Sequence, residues 1–239
     1  MIVLPQTRGV LAAGGERDPF FANVVFLSHV DTTGWIDVIG HTPTAYNSPA
    51  NGPGEYGNCL DCTAAAFDGV KWAPSGSEFN LDASTEYAIE FSIYNTNWAA
   101  TAYLFDMHPG PITTDSSKAI LIYTLSSAVR LWNGSDFFLL SVASLGVSNN
   151  TWHKMALVRT HVSGTNYTSW FVDGVQKGFT ATSTNFVGPS VITFGRDTDG
   201  TLGCVAKFDE LRVTIGARRY TGGVSPVTYT PATEPFPNS

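Results

Sequence analysis

The strongest constraint on this chain is the period of its apolar residues. Segment after segment alternates or runs apolar for only five to nine residues, then breaks at Gly, Asn or Asp. "YAIEFSIYN" (87–95) puts Ile89, Phe91 and Ile93 on one side of an extended backbone, and Ala88, Glu90 and Ser92 on the other. "NVVFLSHV" (23–30), "KAILIYTL" (118–125), "VRLWNG" (129–134), "FFLLSVASL" (137–145), "TWHKMALVRT" (151–160), "YTSWFVDGV" (167–175) and "SVITFGRD" (190–197) read the same way. Asn133-Gly134 and Asp173-Gly174 are hairpin-turn signals, because both central residues of a type I′ turn need positive φ. No ten-residue stretch carries a capped helical period. The pattern predicts an all-β chain folded as a sandwich of two antiparallel sheets.

Size and charge narrow the function. A chain of 239 residues fits one β-sandwich domain. With charged residues at only 14% and 23 glycines, the composition suits turns and strands rather than a helical bundle. The formal net charge of −7, with no Arg/Lys stripe, argues against nucleic acid, whose phosphates supply most of the affinity for their partners. No apolar run reaches the ~18 residues of a membrane span. The first residues lack a charged segment followed by a long apolar one, so no secretory signal is expected.

Residues 1–18 read as an N-terminal arm, 19–239 as the domain, and about 216–239 as an irregular C-terminal strap or tail with Phe236 as its anchor. Cys59, Cys62 and Cys204 are an odd set, which favours reduced structural thiols over a Cys59–Cys62 link or a metal site.

The order of several short motifs resembles laminin-G-like, concanavalin A-like jelly rolls. "NTWHKMALVR" followed by "SWFVDGVQKG" resembles the family's strand–loop–strand core. "FDGVKW" (67–72), "YAIEFSIY" and "GRDTDGTLGCVAKFDELRVTIGARRY" resemble its upstream and closing segments. The ending "RRYTGG…YTPATEPFP" is similar to that of versions in phage and bacterial proteins. The resemblance implies a jelly-roll sandwich, and with the phage-like tail it implies a non-enzymatic virion component: a capsid decoration, fibre or tail protein. Its expected partners are other virion proteins and copies of itself in a homo-oligomer such as a trimer. A carbohydrate-binding module is the alternative, and a glycanase the remoter one.

Two adjacent carboxylates stand in "KFDELRV" (207–213). Strand alternation sends Asp209 and Glu210 to opposite sides of a sheet, which cannot form a glycosidase dyad around one bond. The E-x-D-x-E signature of glycanases with this fold is absent. Asp209 is expected to accept backbone N–H bonds from a loop, and Glu210 to pair with Arg212. No cofactor is called for except calcium, which the resemblance allows and for which Asp197, Asp199 and Asp209 are the candidates. His153, in the family's Trp-His position, is expected to be structural, and Trp152 and Trp170 to lie in the core. For a glycan, Trp98 is the candidate stacking platform, flanked by Tyr103 and His108.

Overall fold

A computed structural model describes residues 17–65, 67–73, 76–108, 120–132, 136–182, 191–200, 202–223 and 226–239. The arm, apart from residues 17–18, and the Asn133-Gly134 turn lie outside them. Among these residues two antiparallel sheets face each other. The strands are β1 (Val24–Ser28), β2 (Pro43–Tyr46), β3 (Ala50–Pro53), β4 (Asn58–Asp61), β5 (Gly69–Trp72), β6 (Tyr87–Asn95), β7 (Ala102–His108), β8 (Ile120–Leu125), β9 (Ala128–Trp132), β10 (Asp136–Ser141), β11 (Trp152–Val162), β12 (Thr165–Val172), β13 (Val175–Ala181), β14 (Val191–Phe194) and β15 (Ala206–Ile215). Sheet A runs β13-β12-β11-β6-β15-β4-β3, with β1 also paired to β15. Sheet B runs β10-β9-β8-β7-β14-β5-β2. The all-β sandwich expected from the sequence is therefore present.

The inward positions are those the alternation selects. Ile89, Phe91 and Ile93 of β6 meet Phe105 of β7 and Phe194 of β14 in one buried cluster. Phe194 sits at its centre, edge-on to Phe91 (5.5 Å), Phe105 (5.0 Å) and Phe208 (5.6 Å). Such tilted contacts suit ring quadrupoles better than a face-to-face stack.

The outer face of sheet A departs from the expected exposed side. Ala88, Glu90 and Ser92 are all buried, and so are Ala156, Val158 and Phe171. The C-terminal segment covers them. Tyr220, Val227 and Tyr229 pack on Ala88, Ala156, Val158 and Phe171 as a second, smaller core. Tyr220 stacks on Tyr229 at 3.9 Å, and the Arg212 guanidinium lies 3.6 Å over the Phe236 ring. Backbone bonds from Gln176 N to Val227 O and from Tyr229 N to Gly174 O tie this strap to the β12–β13 hairpin.

Several elements escaped the sequence pattern. β2, β3 and β4 are four-residue strands without usable alternation. Pro43 opens edge strand β2 and Pro53 closes edge strand β3, positions where a missing N–H costs no ladder bond. "FFLLSVASL" is not one strand: β10 stops at Ser141, whose hydroxyl accepts from Ser144 N and caps a single helical turn, Val142–Leu145, closed by Gly146 at φ 73°. Asp173 (φ 50°) and Gly174 (φ 76°) form the expected left-handed turn.

Candidate functional site

The acidic pair at Asp209 and Glu210 sits where regular alternation fails. The register between β15 and β6 shifts between Asp209 and Arg212, and Glu210 has φ 50°. This β-bulge adds a residue, so Glu210 does not fall inward. Phe208, Leu211 and Val213 belong to the core, while Asp209, Glu210 and Arg212 serve the covered outer side. The expectation that the two acids lie on opposite sides of the sheet is thereby corrected.

Asp209 Oδ2 accepts from Glu55 N (2.8 Å) and Tyr56 N (2.9 Å), and Oδ1 from Glu210 N (2.9 Å). It clamps the 54–57 turn onto β15. Gly54 is required there, because a Cβ would lie 2.6 Å from Asp209 Oδ2. Burial pushes the Asp209 carboxyl up to about 7 despite these donors. A carboxylate ringed by N–H groups does not fit a calcium ion, which needs oxygen ligands around it. Asp197 and Asp199 lie in the loop after β14 of sheet B and are not brought to Asp209. Asp197 accepts from Leu202 N. Among the described residues, no three His, Cys, Asp or Glu side chains group as metal ligands.

Glu210 does not pair with Arg212. It accepts from Phe236 N (2.6 Å) and meets His29 Nδ1 at 2.7 Å. That bond holds His29 up at about 9. Arg212 instead forks onto Glu90, with both contacts at 2.8 Å, and reaches Asp18 at 3.3 Å. Arg219 grips Asp18 through two bonds of 2.9 and 2.8 Å, and the Tyr220 hydroxyl donates to Glu90. Glu90 and Glu210 both line a cavity of about 20 Å³ beneath the strap. That is room for about one water and not for a sugar. Glu234 of the strap lines it as well, and Glu90 and Glu210 hold the strap down around this small cavity.

The cysteines are inert. All three are free and buried. Burial raises Cys59 to about 12 and Cys62 well above its ordinary value, so neither is a nucleophile. His153 accepts from Ser148 N through Nε2 and meets Asp173 Oδ2 through Nδ1 at 2.8 Å. The Trp-His and V-D-G motifs are two halves of one clasp between β11 and the β12–β13 turn. Trp170 is core, but Trp152 is half-buried and packs on Tyr94 at 5.7 Å.

The glycan candidates separate. Trp98 is 1% exposed, with its indole N–H donating to Ser148 O, and His108 is 0% exposed. Neither offers a ring face to a ligand. Tyr103 is half-buried on the outer face of sheet B, stacked on Tyr123 at 5.3 Å and 21°. Tyr103, Tyr123, Arg130 and Leu139 are successive register partners across β7, β8, β9 and β10. Three interstrand steps make this row roughly 14 Å long. Trp132, half-buried, lies on the same face of β9, opposite Leu121. Tyr123 and Arg130 were not among the sequence candidates, and Trp132 was weighed as a stacking ring but Trp98 was preferred to it. The signal was there: in "ILIYTL" and "AVRLW" period-2 alternation places these side chains opposite Ile122 and Leu131 of the core.

No family model matches the chain, and no curated protein matches it. Solved structures do. The binding domain of Paraclostridial Mosquitocidal Protein 1 aligns with a TM-score of 0.60 at 10% identity, over 82% of this chain and 49% of that one. The binding domain of Botulinum Neurotoxin DC, solved in complex with SialylT, gives 0.58 at 11%, over 82% and 48%. Domain 4 of AbnA, an extracellular arabinanase from Geobacillus stearothermophilus, solved with arabinotriose, gives 0.54 at 15%, over 82% and 94%. The chain spans about half the length of the toxin structures it matches. At these identities the likeness shows the fold, a lectin-like β-sandwich found in binding domains.

Proposed function

We propose that this chain is a carbohydrate-binding β-sandwich whose ligand lies across the outer face of sheet B. The observation that carries the reading is the row of side chains across the outer face of sheet B. The strap covers Ala88, Ala156, Val158 and Phe171 of sheet A, and sheet B carries half-buried Tyr103, Arg130 and Trp132 and the 52% exposed Leu139 around the buried Tyr123. Aromatic rings on a flat sheet take the apolar faces of sugar rings, and a guanidinium fork takes their hydroxyl or acidic oxygens. Two of the similar structures were solved with a saccharide, which supports the reading by likeness of fold. The same likenesses favour binding over catalysis, and none of them speaks to a virion setting. Glycan-array screening tests the proposal, with Trp132→Ala as the control variant. The expected result is a set of bound oligosaccharides whose affinity falls about tenfold, or ~1.4 kcal/mol, in Trp132→Ala at unchanged thermal stability. An array without binding, or binding indifferent to Trp132, contradicts it.

A further inference from the structure

At the other end of sheet B, β14, β5 and β2 carry a group of side chains that the stacking row leaves unused. Lys71 lies outward between the core residues Val70 and Trp72, and its register partner is Thr44 of β2. Tyr46, two residues along β2, shares that face. The Lys71 ammonium stands 5.1 Å from the centre of the Tyr46 ring, and the Arg196 guanidinium stands 4.0 Å from it. Two cations therefore converge on one aromatic ring in a protein of net charge −7.

Arg196, only 7% exposed, donates Nε to Asp197 O (3.2 Å) and Nη1 to Phe67 O (3.3 Å), both carbonyls. Of the nearby carboxylates, Asp68 Oδ1 accepts from Ser48 N while its buried Oδ2 accepts no hydrogen bond among the described residues, and Asp197 Oδ1 accepts from Leu202 N. Among the described residues no carboxylate forms an ion pair with Lys71 or Arg196. The ring face offsets part of the mutual repulsion through its quadrupole. An anion between the two would offset more.

The surroundings are built to hold this arrangement. Gly200 (φ 74°) lies against Arg196, where a Cβ would come within 1.2 Å of Nη2. Phe67 keeps φ 82°, a conformation costly for a bulky residue, with its carbonyl held by Arg196 and by Asn47 Nδ2 at 2.9 Å. Phe67 is itself 39% exposed. Cations that can bind oxyanions thus sit beside a ring that can cover the apolar side of a sugar.

We infer that Lys71, Tyr46, Arg196 and Phe67 form a subsite for a carboxylated or sulfated sugar, so that the ligand of sheet B is an acidic oligosaccharide. The inference rests on the proposed carbohydrate-binding function and adds the charge of the ligand. It is tested by calorimetric titration of the whole chain with oligogalacturonate, sulfated dextran oligosaccharides and their neutral counterparts, in wild type and Lys71→Gln. The acidic ligands are expected to bind more tightly than the neutral ones. Their affinity is expected to fall about tenfold in Lys71→Gln, and to fall between about 0.05 and 0.5 M NaCl as screening shortens the reach of the charges. Neutral binding should not change with Lys71. Equal binding of acidic and neutral ligands, or acidic binding unaffected by Lys71→Gln, overturns the inference while leaving the carbohydrate reading intact. If no saccharide binds, that reading has failed. Inorganic sulfate followed through the Tyr46 ring protons then decides the subsite: a titrating shift abolished by Lys71→Gln sustains it, and no shift overturns it.

Discussion

At the residue scale the decisive group is Asp209. One carboxylate accepts three backbone N–H bonds and joins the 54–57 turn to the bulge in β15. In Asp209→Asn one amide oxygen can still serve two donors, but the amide nitrogen then confronts a third N–H. Leaving such a buried donor unmet costs about 1–3 kcal/mol, which urea denaturation would read as a lower midpoint. That Asp209 serves a loop was legible in the sequence. That Glu210 joins it on the same side was not, because a one-residue bulge with positive φ at a glutamate leaves no mark on the apolar pattern. His29 supplies a second prediction. Its pairing with Glu210 raises its folded value from 6.5 to about 9. The protonated pair therefore contributes stability in full below pH 6.5, and that contribution is lost as pH climbs through 9. Melting temperature should decline over this window in the wild type, and His29→Gln should flatten the decline. An equal slope in both proteins would show that the pair carries no linkage.

At the scale of elements the strap is the main lesson. The core side of β6 is readable from Ile89, Phe91 and Ile93, and the structure places all three inside. The other side, Ala88-Glu90-Ser92, has the polarity of a solvated face and is nevertheless covered. A segment with four prolines and no period gives no hint of its route, yet its tyrosines, Arg219 and Phe236 find partners far away in sequence on β6, β12 and β15. Glu90 and Arg212 are charges buried by the strap and paired with each other. Arg212→Ala leaves Glu90 with only the longer Arg219 contact at 3.4 Å and the Tyr220 hydroxyl. It should therefore cost about 3 kcal/mol, the low end for a broken buried pair. It should also loosen the strap, seen as faster amide exchange at Gln176 and Tyr229, whose N–H groups bond Val227 O and Gly174 O. Exchange unchanged at these two amides would separate the ionic network from strap docking.

At the scale of the whole molecule, the fold class follows from short alternating strands and turn residues. The binding face does not. Trp98 looked like a platform because it stands between polar residues in "YNTNWAATAY", but tertiary packing closes over it. Tyr103, Tyr123, Arg130 and Trp132 become a row only when β7 to β10 align in register. The C-terminal strap was legible as an irregular segment anchored at Phe236, but its route over sheet A emerges only in the fold. The proposed ligand site lies on the outer face of the other sheet. The most direct measurement is NMR mapping of an oligosaccharide that binds the protein. The account predicts shifts concentrated at Tyr103, Tyr123, Arg130 and Trp132, with Tyr220 and Tyr229 under the strap unmoved. Shifts confined to the strap side, or to loops away from sheet B, would contradict it.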